Sequence, residues 1–87
     1  MTLSFPNQSR SYDATRHAVR FWGHDSAMEA SFFMSAAALR HIQPGLAPDE
    51  AALLSAFDLN RNLILAAAVK VYARRSQGSY ELIASDF

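Results

Sequence analysis

Cysteine is missing from all 87 positions, which removes disulfides, thiolate metal sites and cysteine nucleophiles together. Glycine is scarce, and its three copies stand far apart at Gly23, Gly45 and Gly78, so no glycine-rich loop can cradle a phosphate. No charge excess exists: 8 basic side chains balance 8 acidic ones. A phosphate backbone therefore meets no global attraction. The longest unbroken apolar run, Leu63 to Val69, is far short of the roughly 20 residues that span a bilayer. The opening Met1-Thr2-Leu3-Ser4-Phe5-Pro6 has neither the basic start nor the apolar stretch of a secretory signal. The expectation is one soluble, cytoplasmic domain over residues 1–87. A chain of this size buries only about 60% of its unfolded surface, and self-association is a common remedy.

What is present centres on Pro48 to Arg75, the one segment with enough apolar residues at a helical period to anchor a core. At about 100° per residue from Ile64, the residues Leu53, Phe57, Ala67, Ala68 and Val71 share its face. Pro48 suits the first helical position. Asp49 and Glu50 oppose the positive end of the macrodipole, and Arg74 and Arg75 sit at the negative end. Gly78 follows as a stop, while Ala47 is a poor N-cap. Leu59, Leu63 and Leu65 fall on the flanks, so the apolar arc is broader than one sheet face needs. A second cover is implied, either the shorter helix described next or another copy of the chain. Asn60 and Arg61 lie near the core-facing side. Either the arginine stem lies on apolar surface with its head in water, or the two form a polar pair aimed at a cleft or a carboxylate. A kink between Asp58 and Asn62 is left open.

Ahead of that helix, Leu3-Ser4-Phe5 reads as a short edge strand, Asn7 to Arg10 as loop and Ser11-Tyr12-Asp13 as extended. Ala18 to Gly23 and Met28 to Met34 both alternate, which predicts two strands of a hairpin around His24-Asp25-Ser26-Ala27. Pairing Gly23 with Met28 sets Phe21 against Ala30 and Val19 against Phe32 on the inner side. Trp22 then meets Glu29, and Arg20 meets Ser31, on the outer side. Ser35 is an N-cap for a helix over Ala36 to Ile42, which Pro44 and Gly45 end. Ser79 to Ile83 is a last strand, and the terminal Phe87 is free to fold back onto the sheet.

Short stretches along the chain also resemble a known family. Phe5-Pro6, Ser11-Tyr12-Asp13-Ala14 and Val19-Arg20-Phe21-Trp22-Gly23 are similar to the start of the domain-of-unknown-function family 1488 of small bacterial proteins. Phe57-Asp58-Leu59-Asn60-Arg61 and Ser85-Asp86-Phe87 resemble its later landmarks. The resemblance implies a small α+β bacterial protein. It implies no activity, cofactor or catalytic residue.

Candidate chemistry is sparse. His17, His24 and His41 share no i,i+4 face, and only His24 has a neighbouring ligand type, Asp25. Adjacent residues point apart, so neither a metal site nor an acid–base pair is expected there. No serine sits in a nucleophile elbow. The surface of interest is the outer sheet face, carrying Arg20, Trp22, Glu29 and Phe33. Exposed Trp and Phe mark a contact surface, unless the N-terminal segment or Phe87 caps Trp22. Aromatics with arginine on a sheet also suggest a reader of single-stranded nucleic acid. Glu29 and Glu81 would repel phosphate, however, and a basic excess is missing.

The sequence thus predicts an α+β domain: an antiparallel sheet of three to four strands with two helices on one face, in the order β-β-β-α-α-β. The expected role is a non-enzymatic interaction or regulatory module without cofactor, metal or membrane. It would be a homodimer using the open sheet face or the broad apolar helix. A weak single-stranded nucleic-acid binder comes second and an unrecognised enzyme third.

Overall fold

The computed structural model describes residues 3–6, 9–26, 28–74 and 79–87. Strands β1 (Leu3–Ser4), β2 (Arg10–Asp13), β3 (Ala18–Asp25) and β4 (Met28–Ser35) come first. Helices α1 (Ala36–Ile42), α2 (Glu50–Leu59) and α3 (Arg61–Arg74) follow, then strand β5 (Ser79–Leu82) and one tight helical turn at Ala84–Asp86. The order is therefore β-β-β-β-α-α-α-β, with one more strand and one more helix than predicted.

The sheet is mixed rather than purely antiparallel, and it has five strands. β3 is its hub. β4 runs antiparallel along one edge of β3, while β2 and β1 pair in succession with the other edge. β5 joins the far side of β4 in parallel, with Phe32 beside Tyr80 and Met34 beside Leu82. A parallel neighbour needs a long crossover, and the three helices supply it. Arg10, assigned to loop from sequence, pairs with Phe21 as the first residue of β2.

The central hairpin forms, but two residues out of the expected register. Gly23 pairs with Ala30, Phe21 with Phe32 and Val19 with Met34. Trp22 lies opposite Ser31, Arg20 opposite Phe33 and His24 opposite Glu29. A slip of two leaves every side chain on its own face. Pairing of Asp25 with Met28 shortens the loop, and Ser26 takes a φ of 56° there.

One face of this sheet is the core. Val19, Phe21, Ala30, Phe32, Met34, Tyr80 and Leu82 pack with Leu39 of α1, Leu53 and Phe57 of α2, and Ile64, Ala68 and Val71 of α3. Aromatic rings tile the layer, with Phe21 and Phe32 stacked at 5.3 Å and Phe57 tilted at 5.0 Å from Phe21. Phe5 completes it, 6.0 Å from Phe21 and 5.8 Å from Phe32. Gly23 makes the space: a Cβ there would stand 2.8 Å from Cε1 of Phe5 and 2.9 Å from the Ser4 carbonyl oxygen.

The helices start where side chains cap them. Ser35 accepts the Ala38 N–H at 3.0 Å. Asp49 accepts the Ala52 N–H at 2.8 Å, so α2 begins at Glu50 rather than at Pro48. The long helix read from sequence is two helices, α2 and α3, bent by 81°. Straight, they would run about 37 Å, well past eight-residue strands of about 26 Å. The bend folds the apolar run back over the sheet. The stop predicted at Gly78, like Arg75 before it, lies outside the described residues. No helix among the described residues is long and apolar enough to cross a membrane by itself.

Gly23→Ala should displace Phe5 and the β1 strand, lowering stability by about 1–3 kcal/mol. Denaturant unfolding measures the loss, and amide exchange at β1 should rise with it; unchanged stability would contradict the slot assigned to Phe5.

Candidate functional site

Three surfaces collect the residues that sequence analysis singled out. The first is the bend. Asn60 ends α2 with φ −110° and ψ 19°, and its backbone N–H reaches back to the carbonyls of Ala56 and Phe57. Its side-chain Nδ2 donates to the Ala56 carbonyl at 2.9 Å and to Gln43 Oε1 at 3.1 Å. Its own carbonyl accepts the Ile64 N–H at 3.0 Å, opening α3. One asparagine thus closes one helix and starts the next without proline or glycine.

Beside it, Asp58 is clamped by two guanidiniums. Arg10 donates Nε to Oδ1 at 3.0 Å and Nη2 to Oδ2 at 2.8 Å, a two-pronged pair across the chain from β2. Arg61 donates Nη2 to Oδ1 at 2.9 Å, with its guanidinium 4.9 Å from the Phe57 ring centre. Arg61 thus meets a carboxylate, as one reading expected, but its guanidinium lies on the Phe57 ring instead of reaching water as the other did. Asn60 and Arg61 do not act as a pair, since Asn60 turns to Gln43 and Arg61 to Asp58. The two line an open cleft of about 680 Å³ with Arg10 and Asp58, flanked by Leu59 and Leu63. Arg10 and Asp58 were not singled out from sequence, because their pairing spans 48 positions.

The second surface is the outer sheet face. Arg20, Trp22, Glu29 and Phe33 lie on it together, as alternation required, but the expected exposure fails: Phe33 is buried and Trp22 only partly exposed, because side chains of the same face cover them. Of the expected caps of Trp22, Phe5 of the N-terminal segment and the terminal Phe87 both pack against the inner core instead. Arginines take that place. Arg20 lies 5.1 Å from the Trp22 ring and 6.0 Å from Phe33, and Arg16 lies 4.1 Å over Phe33. Arg10 is on the other side, at Asp58. Arg16 owes its position to the turn after β2, where Asp13 Oδ1 accepts its backbone N–H at 3.1 Å.

The third surface is the free side of α3. Ile64, Ala67, Ala68 and Val71 are buried. On the opposite side Asn62, Ala66, Val69 and Ala73 are exposed, with Leu63 and Lys70 beside them. Leu59 is 79% exposed, Leu63 50% and Val69 44%. Leu65, expected to need a second cover, is partly buried against the core instead.

The histidines stay apart. His17 is in a turn with φ 51°, His24 on β3 and His41 on α1. Among the described residues no three metal-ligating side chains come together. His24 and Asp25 point to opposite faces, and Asp25 Oδ2 accepts the Tyr72 hydroxyl at 2.8 Å. That bond, with burial, raises the Tyr72 pKa above the usual phenol range.

The hydrogen bonds from Arg10, then those from Arg61, hold the Asp58 carboxyl below the usual carboxylate range. A depressed folded-state value gives stability above the unfolded pKa of about 3.9 that is lost as pH falls through the folded value. Because Asp58 is partly exposed, Asp58→Asn should cost only about 1 kcal/mol at pH 7. The gap from wild type should narrow as pH falls from the unfolded pKa of about 3.9 through the lower folded value. Denaturant unfolding across that range checks both; a gap independent of pH would contradict the clamp.

The model of DUF1488, a protein family of unknown function, matches residues 3–83. A crystal structure of a protein of unknown function from that family, from Shewanella loihica PV-4, is 21% identical, covers 94% of each chain and superposes with a TM-score of 0.82. No curated protein matches the chain. The shared fold and the match over nearly the whole length make this chain a member of the DUF1488 family.

Proposed function

We propose that the chain is a cytoplasmic, non-enzymatic interaction module that works as a homodimer paired through α3. One observation carries this reading: from Leu63 to Ala73 the helix holds a single charge, Lys70, yet among the described residues only one side of it is packed. A helix that is apolar all round belongs in an interior, and a second copy provides one. The exposed Ala66 and Ala73 are small enough for two helices to approach at about 8–10 Å. Around a two-fold axis near Ala66, Leu63 of one copy meets Val69 of the other, a self-complementary contact. Lys70 can lay its stem along the seam and keep its ammonium in water.

Two features support a non-enzymatic role. Asp58, the carboxylate in the cleft, is held ionised by two arginines, and a carboxylate of lowered pKa is a weak base near neutral pH. Asp25 is committed to Tyr72 on the face opposite His24. The nucleic-acid reading loses support because Phe33 and Trp22, the rings on which bases would stack, have arginines over them.

Light scattering at tens of micromolar should give a dimer mass. Ala66→Glu should shift it to monomer with an unchanged circular dichroism spectrum, because an unpaired carboxylate in such a seam costs about 3 kcal/mol or more. Trp22→Ala should leave the dimer intact, and dissociation by that variant would move the contact to the sheet face. A monomeric wild type would end the proposal.

A further inference from the structure

The outer sheet face holds a feature that α3 pairing does not use. Guanidiniums and rings alternate across it in the order Arg16, Phe33, Arg20, Trp22, separated by 4.1, 6.0 and 5.1 Å. Phe33 is only 8% exposed although it lies outside the core cluster, so the arginines are part of its cover. Both are held in place. Arg16 has Asp13 at its backbone N–H and at 3.8 Å from its Nε. Arg20 donates Nη2 to Ser31 Oγ at 3.3 Å. A guanidinium over a ring keeps its in-plane N–H groups for an anion, and these match a carboxylate in two-pronged fashion. Because the arginines are positioned beforehand, less freedom is lost on binding.

We propose that this ladder docks an acidic segment of a partner protein, its carboxylates meeting Arg16 and Arg20 and an apolar neighbour covering Trp22. Charge decides the occupant. The Arg16–Arg20 side is cationic beyond what Asp13 offsets, whereas Glu29 and Glu81 edge the β4–β5 side of the same face. Discrete carboxylates can meet the arginines and avoid the glutamates. An evenly charged phosphate backbone would cross both. The chain is neutral overall, so such binding has to be local. The ladder lies on the sheet face opposite α3, so it stays free whether or not the helices pair.

Trp22 is the sole tryptophan and reports on the site directly. Titration of the full chain with a synthetic peptide of alternating Glu and Leu should change its emission, with affinity falling as salt rises. Arg20→Ala should weaken binding about tenfold and Arg20→Lys by less, since the charge stays and the planar donors go. Arg74→Ala, on α3, should have no effect. Circular dichroism checks folding, and Arg20→Lys carries the test if Arg20→Ala unfolds. No emission change, equal affinity for wild type and Arg20 variants, or tighter binding of a charge-matched oligothymidylate would each overturn the proposal.

Discussion

The bend at Asn60 is the constraint on which the rest of this structure depends. A sheet with one apolar face can take its helices on that face only, and an unbroken rod from Glu50 to Arg74 would overrun it. Asn60 removes the conflict with hydrogen bonds from its own backbone and amide. Asp58 then fixes the corner by holding Arg10 of β2 and Arg61 of α3 together. Two sides of the molecule, distant in sequence, meet at one carboxylate. From that corner α3 sets out along the sheet and delivers the chain to β5 in the parallel sense.

The same one-sidedness creates the two surfaces of functional interest. Packing all helices on the inner face leaves the outer face with its own side chains as its covering, and arginine over aromatic is the form the covering takes. It also leaves α3 with a second apolar side that stays exposed among the described residues. One surface is charged and the other oily, and they lie on opposite sides. A dimer formed through the helices would therefore carry two ladders facing outward, and a partner with two acidic segments would gain by engaging both.

Much of the local structure was legible because it follows from period and capping chemistry. Alternation placed Val19, Phe21, Ala30 and Phe32 inward and Arg20, Trp22 and Phe33 outward. Ser35 signalled the start of α1. The hairpin register was off by two because alternation cannot distinguish registers that keep the same faces. A kink between Asp58 and Asn62 stayed an open alternative because an asparagine amid helix formers becomes a corner only through tertiary partners such as Gln43. The Asp58 clamp was hidden for the same reason.

By itself the sequence determined which side chains face inward, which segments are helical, and that no disulfide or thiolate chemistry is available, since these depend on residue type and near neighbours. The tertiary structure alone decided the parallel placement of β5, the corner at Asn60, and which arginine meets which aromatic or acid. Those outcomes depend on distances between residues far apart in the chain, and a periodic pattern carries no information about them.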